Sequence, residues 1–299
     1  MTDTVTFIGL GTMGLPMARN LARAVPVATY DVNPDAAAAA ARHEGISALA
    51  DPLEGTRADV VILMLPNSSV VGQVLGDPGA PESLAAHLRP GTLLIDMGSS
   101  APRATQELAA RLREHQVAMV DAPVSGGPRK AATAELTIMA GGVAGDVERA
   151  APLLRTMGSS VTYTGPAGSA HALKALNNLL SAIGLVGALE VFTVGVRFGL
   201  DPRVMLEVIN RSTGRNQSTE VKIGPEVLDG RFNVGFSLPL TVKDVTTALE
   251  LSRSLELESE VSEACVRVCR AALDGLGGNP DQSEIARYLA QVTGVHLTR

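Results

Sequence analysis

Short, nearly continuous apolar runs separated by amphipathic stretches dominate the first half of the chain. The runs at 5–8, 27–30, 60–65, 92–96, 118–121, 136–140 and 161–163 have the length and composition of strands covered on both faces. Between them, stretches such as 35–44 and 103–115 have helical composition and polar faces. Repeated strand–helix–strand units predict a parallel, doubly wound sheet. Around Gly165 and Gly168 the pattern changes. From 169 to 196 apolar residues recur with little charge, which predicts one long, largely buried helix with Gly199 as its C-cap. Further helices are predicted at 202–210, 240–254, 258–273 and 282–292, with no strand in this half beyond a short piece near Phe236.

The glycine pattern at the end of the first run gives this alternation a specific meaning. Gly9, Gly11 and Gly14 stand in GxGxxG spacing, after an apolar strand and before a helical pattern, and Asp31 closes the next strand. In such a turn Gly9 permits the tight reversal, Gly11 lets a pyrophosphate approach the backbone, and Gly14 lets helix and strand pack closely. The helix N-terminus offers N–H groups to the phosphates, and an acid about 20 residues on can accept the ribose hydroxyls. The expected fold is an α/β Rossmann-type N-terminal domain over residues 1–165. An all-α C-terminal domain for substrate and oligomerisation follows over 166–299, the two joined by the long helix.

Composition narrows the partners. The chain has 299 residues, enough for two domains, and 45% of them are hydrophobic, which excludes a disordered chain. Aromatic residues are only 3% and Trp is absent, so no stacking platform for nucleic-acid bases or sugars is expected. A net charge of −6 without a long basic run argues against nucleic acid. No signal-peptide pattern opens the chain, and no uninterrupted apolar run reaches the length of a membrane span. Cys265 and Cys269 lie four residues apart without neighbouring histidines, so no metal is expected, and a reduced, cytoplasmic location fits.

Three more stretches carry candidate chemistry. In DAPVSGG, Ser125 with the N–H groups of Gly126 and Gly127 can hold a carboxylate, although an ordinary strand exit reads the same way. In GSAHALKALNN, His171, Lys174 and Asn178 share one helix face. A lysine on an apolar helix commonly snorkels to solvent, and a desolvated one can instead serve as general acid/base. In FSLPLTVKDVTTALE, Lys243 and Asp244 interrupt an apolar pattern and read, on their own, as a solvated spot on an amphipathic helix.

Together and in this order, the four stretches resemble the β-hydroxyacid dehydrogenase family, which includes 3-hydroxyisobutyrate dehydrogenase and tartronate semialdehyde reductase. The resemblance covers nearly the whole chain. It implies that Gly9, Leu10, Gly11, Thr12, Met13 and Gly14 form the cofactor loop and that Asp31 favours NAD over NADP. It implies that Leu65 and Pro66 lie along the cofactor, that Ser99 stands on the nicotinamide side, and that Lys243 reaches back to the cofactor. Ser125, Gly126 and Gly127 match the substrate-carboxylate loop, Lys174 the catalytic lysine, and Asn178 a substrate-binding asparagine. Gly98, Ala134 and Ala170 depart from the usual pattern, standing where Ser, Gly and Gly are frequent.

The expectation is an NAD-dependent oxidoreductase that interconverts a small 3-hydroxy acid and its semialdehyde or keto acid, working as a homodimer or homotetramer. One alternative is a related reductase of an imine or a threonate-like sugar acid, for which Arg129 and Lys130 would bind a longer or more anionic substrate. A more remote one is a non-catalytic nucleotide-binding module, against which Lys174 argues.

Overall fold

The computed structural model describes residues 3–298, which fall into two compact units divided between Lys174 and Ala175. The contact division between these units falls inside the long helix.

Unit 1 begins with β1 (Val5–Ile8), α1 (Gly14–Ala22), β2 (Val27–Tyr30), α2 (Pro34–Ala40), β3 (Ile46–Ala48), β4 (Val60–Leu63) and α3 (Ser68–Leu75). It continues through β5 (Leu93–Asp96), α4 (Pro102–Glu114), β6 (Ala118–Asp121), β7 (Val124–Ser125), α5 (Gly127–Ala132), β8 (Leu136–Gly141), α6 (Ala144–Leu154) and β9 (Gly158–Gly165). All nine strands belong to one sheet, in the order β3-β2-β1-β4-β5-β6-β8-β7, with β9 on the other side of β8. The six strands from β3 to β6 are parallel in the doubly wound arrangement, and β1 pairs with both β2 and β4.

Alternate residues of each strand feed two cores. Phe7, Ile62 and Ile95 face a layer that holds Met17 and Leu21 of α1, whereas Ile8, Val61, Leu63 and Leu94 pack with Leu75 of α3 and Leu112 of α4. Burial on both faces explains why these strands read as continuous apolar runs.

The sheet is not wholly parallel. β8 runs antiparallel to β6 and β7, and only β9 returns parallel to β8. A parallel return needs a crossover of a dozen or more residues, usually a full helix, and residues 126–135 carry only the six-residue α5. The short strands β3 and β7 give too little pattern to be read from the sequence. Nothing extended forms near Phe236 except an isolated bridge from Ser237 to Asp281.

α7 (Ser169–Phe198) leaves unit 1 and runs into unit 2. Gly199 closes it, donating its N–H to Val196 O at 3.0 Å and adopting a φ of +105°. By length and composition α7 is apolar enough to cross a membrane, with a mean hydropathy of 2.0 over an 18-residue stretch, yet Leu185, Leu189 and Phe192 on it are fully buried in the core of unit 2. The rest of unit 2 is helical: α8 (Pro202–Asn210), a π-helix over Thr219–Leu228, α9 (Leu238–Ser254), α10 (Glu260–Leu276) and α11 (Ile285–Thr293). The π-helix was not legible beforehand. Pro225 inside it has no N–H to give, so the usual i→i−4 ladder cannot run through it. Cys265 and Cys269 are free and buried on α10, and the bond from Cys265 together with burial pushes the Cys269 thiol up.

Candidate active site

The glycine loop is built as its spacing requires. Gly9 has a φ of +99°, and a Cβ there would lie 2.4 Å from Met64 O. A Cβ on Gly14 would meet Gly9 O at 1.9 Å, so only glycine lets α1 start this close to the strand. The direction a Cβ would take at Gly11 is open, with no atom within 4 Å. Leu10 is buried, Thr12 is exposed and Met13 half-buried, and no side chain caps the first turn of α1. Asp31 is tied to the loop: its Oδ2 accepts from Leu10 N at 2.6 Å and its Oδ1 from Asn33 N at 2.8 Å. An open glycine and uncapped helix N–H groups can donate to the phosphates and a carboxylate fixed beside them can accept from the ribose hydroxyls, so these residues fit NAD.

Leu65 is half-buried, Pro66 exposed and Ser99 half-buried. Gly98 has a physical reason, because a Cβ there would lie 2.3 Å from Leu65 O. Asp96 shapes the same loop, accepting Gly98 N at 2.9 Å and Ser100 Oγ at 2.7 Å. A cavity of about 360 Å³ between α3 and α4, lined among others by Ser68, Asp96, Ser100 and Arg111, contains none of the residues singled out from the sequence.

Ser125 pairs with Thr137 at the end of β7. Gly126 follows with a φ of +135°, and a Cβ there would lie 2.7 Å from Lys130 Cδ. Gly127 opens α5 with a φ of +68°, nothing lies within 4 Å of its Cβ direction, and no side chain caps the helix start. Arg129 and Lys130 are exposed on α5.

Asp121, at the end of β6, anchors α7. Fully buried, it accepts from Gly168 N at 2.9 Å through Oδ1, and from Ala170 N at 2.9 Å and His171 N at 3.0 Å through Oδ2. His171 is buried as well, with Nδ1 2.8 Å from Thr105 Oγ1 and Nε2 3.8 Å from Asp96 Oδ2, beyond hydrogen-bonding distance. Lys174 follows one turn later and is half-buried. The available signal was positional, since Asp96 and Asp121 each close a buried strand. Ala170 fits without strain as a buried helical residue bonded to Asp121.

In unit 2, Asn178 Nδ2 donates to Asp244 Oδ2 at 2.5 Å, and Lys243 Nζ lies 2.9 Å from Asp244 Oδ1. Asp244 is 3% exposed, which corrects its reading as a solvated spot: it is a buried acceptor that fastens Asn178 of α7 to Lys243 of α9. Lys222 on the π-helix is another residue missed from sequence. It is 4% exposed, and burial holds its ammonium below the usual lysine range.

Comparison with known proteins agrees with this architecture. Residues 4–165 match the family model described as the NAD binding domain of 6-phosphogluconate dehydrogenase. Residues 168–289 match one described as NAD-binding of NADP-dependent 3-hydroxyisobutyrate dehydrogenase. The chain is 32% identical to 2-(hydroxymethyl)glutarate dehydrogenase of Eubacterium barkeri over 296 residues, covering 98% of this chain and 97% of that one. It is 36% identical to the NAD-dependent L-serine dehydrogenase of Pseudomonas aeruginosa over 279 residues, covering 90% and 92%. The solved structure of Mycobacterium tuberculosis 3-hydroxyisobutyrate dehydrogenase with L-serine superposes with a TM-score of 0.87 at 31% identity, covering 97% of this chain and 99% of that one.

Proposed function

The chain belongs to the 3-hydroxyisobutyrate dehydrogenase family of NAD-dependent hydroxyacid dehydrogenases, and from that premise we propose that it interconverts a small 3-hydroxy acid and its semialdehyde or keto acid with Lys174 as general acid/base. NAD, when bound, supplies the hydride acceptor. In oxidation, neutral Lys174 takes the proton of the substrate hydroxyl; in reduction, its ammonium returns it. Asn178, one turn on, bonds the same hydroxyl and is held in orientation by Asp244. Ser125 and the N–H groups of Gly126 and Gly127 receive the substrate carboxylate. Gly9 to Gly14, with Leu65, Pro66 and Ser99, line the cofactor, Asp31 takes the adenosine ribose, and Lys243 reaches the cofactor from α9. The carboxylate of Asp31 repels a 2′-phosphate, which favours NAD over NADP.

The observation that carries this reading is the anchoring of α7. Three backbone bonds to buried Asp121 hold the start of the helix, and with it the backbone from which Lys174 projects one turn later. Replacing Lys174 with Ala should lower kcat by at least about 10²-fold, with NAD binding by titration calorimetry unchanged. Lys174→Arg should rescue little, because guanidinium does not give up its proton. Turnover that survives Lys174→Ala would remove the assignment.

The domain division at residues 165 and 166, a cytoplasmic location and a homodimeric or homotetrameric state belong to the same proposal. The two free, buried cysteines support the location. The oligomer is supported by an exposed apolar stripe on α7 made of Leu176, Leu180, Val191, Val194 and Phe198, with Leu180 71% and Phe198 84% exposed.

A further inference from the structure

Lys222 is a buried cation with no carboxylate within 4 Å among the described residues. Its Nζ donates to Ser181 Oγ at 3.2 Å. The carboxylate that acts on it from farther away, Asp281, is committed elsewhere: it accepts Gly235 N at 3.0 Å, Phe236 N at 3.3 Å, and both the N–H and the hydroxyl of Ser283. An ammonium desolvated without an ion partner costs stability, so its retention asks for a reason. A second buried polar group stands four residues earlier in the chain. Ser218, at the start of the same π-helix, is 1% exposed with an unpartnered Oγ, 4.0 Å from where Gly184 of α7 would carry a Cβ. Ser181 and Gly184 are three residues apart on α7, so Lys222 and Ser218 address adjacent turns of that helix.

Ser181 also shares a face with Lys174 and Asn178, at i, i+4 and i+7. Along the helix axis it lies about 10 Å beyond Lys174. The cation therefore stands farther along the face that carries the proposed reacting groups.

We propose that Lys222, with Ser181 and Ser218, forms a subsite for a second carboxylate of the substrate, so that the enzyme prefers dicarboxylic 3-hydroxy acids to monocarboxylic ones. The proposal rests on the reading of Lys174 and Asn178 as the reacting end. A carboxylate arriving here replaces the neutral Ser181 contact of Lys222 with a charge-assisted one, and its second oxygen gives the Ser218 hydroxyl an acceptor. Arg129 and Lys130 are poorer candidates for this role because both are exposed, where charge is screened by solvent.

Two acids isolate the effect, because 2-(hydroxymethyl)glutarate is 3-hydroxyisobutyrate with its methyl group extended to a carboxyethyl group. Initial rates with NAD should show wild-type kcat/KM at least about tenfold higher for the dicarboxylate. Lys222→Met should abolish that preference and leave 3-hydroxyisobutyrate within about threefold. Lys222→Gln, which keeps a hydrogen-bonding group without the charge, repeats the comparison should the Met variant fold poorly. Absence of a wild-type preference, or equal loss on both acids, would overturn the subsite and leave Lys222 as a fastener between the π-helix and α7. Glutarate, which lacks the alcohol, reports the subsite independently of turnover. It should raise the Tm of the wild type and not of Lys222→Met. Neither acid reacting while glutarate still discriminates the two proteins would fault the proposed reaction and spare the subsite; no discrimination by glutarate would overturn the subsite.

Discussion

Ala134 holds a backbone conformation that suits a different residue. Its φ is +58°, in the left-handed region where a Cβ crowds the following carbonyl, and it stands at the turn into β8. The frequent glycine of the family at this place has a steric reason that one sequence could not show. Relief of the clash outweighs the extra chain entropy of glycine, so Ala134→Gly should raise unfolding stability by roughly 0.5–1 kcal/mol. An unchanged urea midpoint would contradict this. Lys222 makes a prediction in pH. Its folded pKa is depressed below the ordinary 10.5, so the folded state sheds this proton before the unfolded chain does. The penalty for burying the charge is complete below the folded pKa and fades as pH rises towards 10.5. Relative to Lys222→Met, the wild type should therefore gain stability between neutral pH and about pH 10, as read by urea unfolding at both. A pH-independent gap would mean that the ammonium is not desolvated.

At the scale of elements, α7 is the piece on which the proposed chemistry depends, and its first turn is held from the sheet. Asp121 supplies acceptors for three N–H groups that a helix start leaves unsatisfied. Asn at this position keeps one oxygen and turns an NH2 towards a backbone donor. Asp121→Asn should destabilise the protein by roughly 2–4 kcal/mol in denaturant unfolding. It should also lower kcat through the displaced Lys174, with the KM for NAD little changed. Full activity in a destabilised variant would separate the anchor from the chemistry. The antiparallel β8 and the π-helix are the other elements that local pattern did not announce. A strand carries the same apolar run in either direction, and a π-turn keeps a helical composition.

For the whole molecule, the stripe on α7 has the symmetry of a self-pairing surface. Counted from the centre near Gly184 and Gly187, Leu180 mirrors Val191 and Leu176 mirrors Val194, so that two antiparallel copies of α7 would match apolar to apolar. That is the geometry of a two-fold interface. Sedimentation should find an oligomer, and Leu180→Glu with Val194→Glu should shift it to a smaller species that stays folded, since both positions are exposed. A monomeric wild type would end the argument. The alternating apolar runs, the glycine spacing and the acid closing β2 are local signals. They were enough to determine a doubly wound nucleotide-binding half, a helical half and the long helix between them, because buried strands and phosphate turns each demand particular residues in consecutive positions. Only the tertiary structure decided what the acids do. Asp121 serves α7 across some fifty positions of chain, Asp244 reaches Asn178 across 66, and Lys222 finds Ser181 rather than an acid. Burial decides these partnerships, and burial is set by which elements come together in space, a property no local run of residues contains.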